Sequence, residues 1–193
     1  LEPMIGPLLE AADSMDRIFW SQYSPKGRAM LDVLLPSKQP EIRALAEYLA
    51  IHYGPWDWHR DDAPFIGLYP RPPGVGLYPA DLSQRELDQF ISKNPGSFAQ
   101  LYDPYTVIRR KKDRLVGVAY TLAYKDELQR AATALKGAAA AYTCSGGACP
   151  CAGFVKFLNE KAAGLVAGDY VKSDLAWMDT GDCPPDIAIG PYE

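Results

Sequence analysis

The sequence predicts a helix-dominated α+β fold with one small antiparallel β element. Several segments repeat apolar residues every three or four positions, which is the period of one helix face. Two β-prone runs, 106–110 and 115–120, are joined by a short polar link, as in a hairpin. With 193 residues, of which 48% are hydrophobic and 23% charged, the composition is that of a globular chain. We therefore expect one unit over residues 1–193, without an internal domain boundary.

The first quarter of the chain contains two strong helix patterns. Apolar residues at steps of four, four, three and four predict one buried stripe on a first helix: Met4, Leu8, Ala12, Met15 and Phe19. Pro40 suits a first helical position and is followed by the same spacing in Ile42, Leu45, Ala46, Leu49 and Ala50. A shorter helix is predicted between them, around 27–35.

The helical period is lost between residues 53 and 80. This stretch is rich in Pro and Gly and also carries Trp56, Trp58 and several other aromatic residues. A loop with so many aromatic side chains is typically ordered and packed. We expect Trp56, Trp58 and the later Trp177 to serve in packing rather than in binding.

The remaining elements follow in order. Ser83 and Glu86 have the spacing of a capping box, which predicts a short helix after Ser83. The hairpin near 106–120 comes next, followed by long helical stripes over 124–142 and 154–166. The apolar alternation at 186–190 indicates a further strand.

Charge and hydropathy exclude two classes of partner. The net charge is −4, whereas binding to a phosphate backbone draws on clustered Lys and Arg. The one basic run, residues 109–112, is typical of a solvated turn. No apolar run approaches the roughly 20 residues that span a bilayer. We expect neither a nucleic acid nor a membrane as partner.

Histidine is too scarce for a typical catalytic zinc site. The sequence has two histidines, His52 and His59, and no H-E-x-x-H pair. His59 stands near Asp57, Asp61 and Asp62, but a surface histidine among solvated carboxylates is the simpler interpretation. We therefore expect no metal to be bound by this chain.

Several interpretations are open for the four cysteines, Cys144, Cys149, Cys151 and Cys183. A four-thiolate zinc site or a redox module is one alternative, although the spacing matches paired zinc knuckles poorly. One or two disulfides are favoured, with three connectivities that the sequence does not separate. Disulfides would indicate an oxidising compartment, periplasmic or extracellular, with a cytoplasmic location as the alternative.

Five segments, in order, resemble the dipeptidyl peptidase III family of zinc metallopeptidases, especially its bacterial-type members and the peptidase part of plant Nudix fusions. They are "AADSMDRIFWSQ", "HYGPWDWHRDDAPFI", "PPGVGLYPADLSQREL", "NPGSFAQLYDPYTVIRR" and "YVKSDLAWMDTGDCPPDIAIGPYE". The resemblance covers essentially the whole chain. The sequence has no Nudix box of the G-x5-E-x7-R-E type, so the hydrolase half of those fusions is not implied.

The resemblance implies a role for the segment "IGPYE". In this family the Glu that matches Glu193 helps to hold the free amino terminus of the peptide substrate, and Tyr192 lies beside it. A carboxylate that pairs with an ammonium group at a fixed distance from the metal would measure off two residues before the scissile bond. The family's zinc-binding H-E-x-x-G-H motif and its later E-E-x-x-A-D-type motif have no counterpart in this sequence.

The resemblance therefore implies the amino-terminal segment of a larger, two-lobed exopeptidase that removes dipeptides from peptide amino termini. Zinc would belong to the remainder of the polypeptide, so this chain alone is expected to be inactive and has no catalytic residue of its own. A self-contained, non-catalytic binding or regulatory domain is the first alternative. A cysteine-based metal or redox module is the second.

Overall fold

The computed structural model describes residues 1–74, 76–112, 114–142, 151–181 and 183–190, and within these ranges helices dominate. The α-helices are α1 (Glu2–Tyr23), α2 (Gly27–Leu34), α3 (Pro40–Ile51), α4 (Gln84–Lys93), α5 (Phe98–Leu101), α6 (Tyr120–Ala123), α7 (Lys125–Ala141), α8 (Ala152–Ala167) and α9 (Val171–Met178). The strands are β1 (Trp56–Asp57), β2 (Ala63–Pro64), β3 (Thr106–Lys111) and β4 (Arg114–Ala119), paired β1 with β2 and β3 with β4. The predicted helix-dominated α+β class is confirmed.

The described chain divides into two compact units. We call Leu1–Arg17 together with Ala119–Glu193 the terminal unit, and Ile18–Val118 the central unit. The division falls inside α1, because the first part of this helix packs within one unit and the last part within the other. The expectation that residues 1–193 behave as one unit stays a prediction.

Helix α1 is present as predicted, and its predicted stripe is buried only in part, at Met4 and Met15. Ala12 is exposed, whereas its neighbour Ala11 is fully buried together with Ile18. The helix contributes to the cores of both units, so a single stripe of four-residue steps cannot describe it.

The central unit contains two apolar clusters. One brings α1, α2 and α3 together through Trp20, Leu31, Ala46 and Leu49. The other joins α4, α5 and the β3–β4 hairpin through Leu82, Leu87, Leu101, Ile108 and Leu115. The predicted hairpin is confirmed; the first half of β3 and Leu115 of β4 are buried, while the basic half of β3 is exposed.

The predicted capping box before α4 is only half formed. The Ser83 hydroxyl accepts a hydrogen bond from the Glu86 amide at 3.2 Å, as expected. The Glu86 carboxylate instead accepts hydrogen bonds from the two terminal guanidinium nitrogens of Arg110 on β3, at 2.6 and 3.2 Å. A charged partner on the hairpin therefore replaces the backbone partner at the helix start.

The terminal unit is built on α7, α8 and α9. The predicted stripes of α7 and α8 are largely buried, with Leu128, Leu135, Phe154, Leu158 and Leu165 almost free of solvent contact. Alanines such as Ala131 and Ala138 fill the space between these side chains. Small residues of this kind let helices approach closely.

The strand predicted at 186–190 is wrong. These residues run in an irregular conformation with alternating exposure and join no sheet. Ile189 is buried, which accounts for the apolar alternation in the sequence. Alternation marks which side chains face inward, but a strand also needs a neighbour to accept its backbone hydrogen bonds. Among the described residues, no helix is both long and apolar enough to cross a membrane.

Candidate functional site

The segment that precedes the predicted substrate-binding residues gives the candidate site its structural context. Tyr192 and Glu193 themselves lie outside the described residues. Residues 183–190 are described, and they run beside α8 and α9 of the terminal unit. The contacts that hold this segment therefore define the candidate site.

Two glycines of α8 let the chain around α9 approach closely. A Cβ atom on Gly164 would lie 2.8 Å from the Asp169 carbonyl oxygen, just before α9 begins. A Cβ atom on Gly153 would lie 2.5 Å from the Asp179 carbonyl oxygen, just after α9 ends. Because only glycine fits at such distances, the chain at both ends of α9 lies in close contact with α8.

A disulfide fixes the start of the 183–190 segment. Cys151, immediately before α8, is bonded to Cys183, with the two Cα atoms 4.9 Å apart. These two sulfurs are therefore not available as thiolate ligands of a four-cysteine metal site. The predictions for Cys144 and Cys149 fall outside the described residues.

Trp177 holds the same segment further along. Its indole Nε1 donates a hydrogen bond to the Asp186 carboxylate at 2.8 Å. Trp177 is 47% exposed and Trp58 is 45% exposed. A half-exposed indole can pack through its ring and still use its N–H group, so the packing role expected of these residues stays a prediction.

Lys161 is the buried charge beneath this segment. The residue is 1% exposed, and its Nζ lies 3.6 Å from an Asp174 carboxylate oxygen and 4.8 Å from the Tyr170 ring centroid. Asp174 stands in the first turn of α9, where the helix dipole favours an anion. A lysine is tolerated at this depth because a carboxylate and an aromatic face replace part of its hydration.

These residues border a cavity of about 410 Å³ between α8, α9 and the extended segment. Its charged lining consists of Lys161, Asp174 and Asp186, and its apolar lining includes Trp177, Met178 and Ile187. We call it the α8–α9 cavity. It has the mixed lining of a binding cleft, with apolar walls and a few polar groups.

A second polar cluster lies in the central unit, around His52 and Asp57. His52 is 1% exposed, and its Nε2 lies 3.8 Å from an Asp57 carboxylate oxygen. Asp57 is also buried and accepts hydrogen bonds from the Tyr48 hydroxyl at 2.8 Å and the His59 amide at 2.9 Å. The cluster ties α3 to the β1–β2 hairpin.

The Asp57 carboxyl is held in its ionised form. Burial alone raises its pKa, whereas the hydrogen bonds from Tyr48 and from the His59 amide lower it. The nearby His52 and Arg60 act in the same direction, so the pKa of Asp57 lies below its usual value. No sequence pattern indicates this pair, since His52 and Asp57 meet only in the folded chain.

The described residues do not fit a zinc ion. They contain no group of three or more His, Cys, Asp or Glu side chains placed to bind a metal. His59 is exposed, and Asp62 is paired with Arg71 at 2.9 Å rather than with a neighbouring carboxylate or imidazole.

Comparison with solved structures shows that the fold resembles one part of larger dipeptidyl peptidase III structures. The chain is similar to the structure of dipeptidyl peptidase III from Caldithrix abyssi, with 35% identity and a TM-score of 0.81. It is also similar to dipeptidyl peptidase III from Corallococcus sp. strain EGB, with 28% identity and a TM-score of 0.76. The resemblance to dipeptidyl peptidase III predicted from the sequence is therefore confirmed.

The match covers almost all of this chain but only part of each relative. It spans 94% of this chain and 33% of the Caldithrix abyssi chain, and 92% and 32% for the Corallococcus structure. Among curated proteins the chain is similar to Nudix hydrolase 3 of Arabidopsis thaliana, at 24% identity over 245 aligned positions. That alignment spans 98% of this chain and 30% of the relative. No protein-family model matches the chain.

Proposed function

We propose that this chain is the amino-terminal segment of a zinc-dependent dipeptidyl peptidase III-like exopeptidase, which removes dipeptides from peptide amino termini. The observation that carries the proposal is the structural match at a TM-score of 0.81 with 35% identity over 94% of the chain. Because the chain spans about a third of the matched structures, the peptidase activity belongs to the proposed parent polypeptide. The chain by itself is proposed to be inactive.

Glu193 is proposed to bind the substrate's amino-terminal ammonium group, with Tyr192 beside it. The contacts of the preceding segment support this role. The Cys151–Cys183 bond and the Trp177–Asp186 hydrogen bond restrict the path of the chain that leads to Glu193. A carboxylate that pairs with the substrate's ammonium group favours binding and fixes the register of the peptide.

The zinc ion is proposed to be held by the rest of the polypeptide. When bound, zinc would polarise the scissile carbonyl and activate a water molecule. The contribution of this chain is different: it binds and orients the peptide, and so determines that the second peptide bond meets the metal. Peptide substrates and the zinc-bearing remainder of the polypeptide are thus its proposed partners.

A single substitution in the longer polypeptide tests the role of Glu193. Glu193→Gln keeps the size of the side chain but removes its charge, and the loss of one charge-assisted hydrogen bond should lower kcat/KM by about tenfold to a hundredfold. Glu41→Gln, at an exposed position in the first turn of α3, is the matched control and should change nothing. Peptides with a free and with an acetylated amino terminus should be compared as substrates.

Two results would contradict the assignment. If Glu193→Gln cleaves the free peptide as well as the unaltered protein, Glu193 does not bind the ammonium group. If the acetylated peptide is cleaved equally well, no residue of the protein requires a free amino terminus.

The alternative of a self-contained regulatory domain is less well supported. Such a domain should cover its apolar residues, yet α9 exposes Val171, Leu175 and Met178 by 64%, 58% and 73%. The alternative of a four-cysteine metal module is disfavoured by the Cys151–Cys183 bond.

The same bond supports a proposal on location. Disulfides persist in oxidising compartments, so we propose that the protein is periplasmic or secreted rather than cytoplasmic. Titration of thiols in the native protein, with and without prior reduction, tests this proposal. Thiols that appear only after reduction are expected, and fully reactive thiols before reduction would contradict it.

A further inference from the structure

Helix α9 packs with its small residues inward and its large apolar residues outward. Ser173 and Ala176 are buried, at 0% and 2% exposure, on the side that meets α8. Val171, Leu175 and Met178 follow one another at steps of four and three and are all more than half exposed. An amphipathic helix on the surface of a complete domain has the opposite arrangement. We call these three residues the α9 outer face.

We propose that the α9 outer face is a docking surface for the part of the peptidase fold that lies outside this chain. This inference rests on the proposed function, because it requires that the chain belongs to a longer peptidase. The matched structures are about three times as long as the part that this chain covers, so most of their fold lies outside it. An exposed row of large apolar residues is a surface that such additional chain would bury.

The position of the outer face points to the same occupant. Met178 belongs to the outer face and also lines the α8–α9 cavity, together with Ile187 and Ala188. Those two residues lie on the path to Glu193. An element docked on α9 would therefore contact the helix that holds the proposed substrate-binding segment through the Trp177–Asp186 bond.

Size and charge favour a covalently connected occupant over a second copy or a lipid surface. An eight-residue helix is only about 12 Å long, and three side chains on it are far short of the roughly 800 Å² per partner of a stable interface. A segment of the same polypeptide needs less area, because its effective concentration reaches the millimolar range. Asp169, Asp174 and Asp179 offset the charges of Lys172 on α9 and of Lys156 and Lys161 on α8, so the surroundings lack the basic excess that binding to an anionic membrane favours.

Amide hydrogen exchange of α9 tests the proposal, measured in chain 1–193 and in the longer polypeptide. Docking should slow exchange across Val171–Met178 by about tenfold or more in the longer polypeptide, as expected for roughly 1.4 kcal/mol of added local stability. Leu175→Lys should abolish this protection while leaving exchange in chain 1–193 unchanged, since Leu175 is exposed there and lysine is a good helix former. Lys172→Ala, on the same helix outside the outer face, is the matched control and should keep the protection.

Several results would overturn the inference. Equal exchange of α9 in the two proteins would show that nothing docks there. A dimer of chain 1–193 in analytical ultracentrifugation that Leu175→Lys dissociates would assign the surface to a second copy, and binding to anionic phosphatidylglycerol vesicles that Leu175→Lys removes would assign it to lipid. Dipeptide release by a longer polypeptide with unprotected α9 would leave the proposed function intact and remove only this inference. A reading frame that does not continue past residue 193 would remove both.

Discussion

The two units of the chain are held together in different ways. In the terminal unit, the buried residues of α7 and α8 are mainly alanines and a few large side chains, such as Leu135 and Leu158, and their spacing follows the helical period. In the central unit, aromatic rings and polar groups also pack in specific pairs. The ring centroids of Trp20 and Tyr53 lie 5.0 Å apart, and those of Tyr48 and His52 lie 4.4 Å apart. A periodic core can therefore be recognised from the sequence, whereas a core of specific pairs is recognised only in the folded chain.

The largest expected effect is on the periodic core. Leu158→Ala removes a fully buried side chain from α8 and should lower the free energy of unfolding by about 2–5 kcal/mol. Leu122→Ala, at a position that is 69% exposed, is the matched control and should change it by less than about 0.5 kcal/mol. Urea unfolding followed by circular dichroism measures both. Equal effects of the two substitutions would mean that α8 is not packed as described.

The disulfide should have the next largest effect. Replacing Cys151 and Cys183 together by serine removes a cross-link between residues that are 32 positions apart in the sequence. This should lower the free energy of unfolding by about 2–4 kcal/mol. The unaltered protein and the variant should be compared under oxidising conditions and again after reduction. Since reduction removes the same bond, the two should then unfold at nearly the same urea concentration. A variant as stable as the oxidised protein would contradict the assigned pairing.

Two glycine substitutions sharpen the account of helix contact in the terminal unit. Gly153→Ala should cost about 1–3 kcal/mol, because the added Cβ would lie 2.5 Å from the Asp179 carbonyl oxygen. Gly137→Ala in α7 should instead stabilise the protein by about 0.5–1 kcal/mol, since its nearest neighbour would be 3.9 Å away. Thermal unfolding of the pair gives the sign of each change. Stabilisation by Gly153→Ala would show that α8 and the end of α9 do not approach closely.

The smallest effect, and the one most dependent on pH, is expected in the central unit. The pKa of Asp57 is lowered in the folded state, so its ionised form adds stability above the unfolded value of about 3.9, and this is lost as the pH falls through the folded pKa. Tyr48→Phe removes the hydrogen bond to the ionised carboxylate. The deficit of this variant should be full at neutral pH and shrink as the solution is acidified.

The control for that substitution is Tyr69→Phe, at a position that is 84% exposed. It should follow the unaltered protein at every pH. A Tyr48→Phe deficit that is constant between pH 7 and pH 3 would mean that the lost interaction does not involve the charge on Asp57.

Sequence reasoning succeeded where burial follows a period. Helices α3, α7 and α8 and the β3–β4 hairpin were all predicted from apolar spacing or β propensity. Helix α9 was not, because its inward residues are small and its large residues face outward, which reverses the usual signal. The strands β1 and β2 have two residues each, too few for any alternation to be recognised.

The candidate site was predictable only in part, and by resemblance rather than by physical pattern. Glu193 and Tyr192 were identified from the similarity of "IGPYE" to a family motif, and they lie outside the described residues. The buried Lys161 and His52 could not be foreseen, because a polar group is buried only where tertiary partners compensate it. The partners, Asp174 for Lys161 and Asp57 for His52, become neighbours only through folding.

The central proposal is that this chain belongs to an exopeptidase that removes two residues at a time from the amino terminus of a peptide substrate. Mass spectrometry of the products formed by the longer, zinc-loaded polypeptide from an unblocked hexapeptide tests it most directly. We expect release of the first two residues as a dipeptide, with a tetrapeptide as the accompanying product. Release of single amino acids, cleavage at internal bonds without regard to the amino terminus, or no cleavage at all would contradict it.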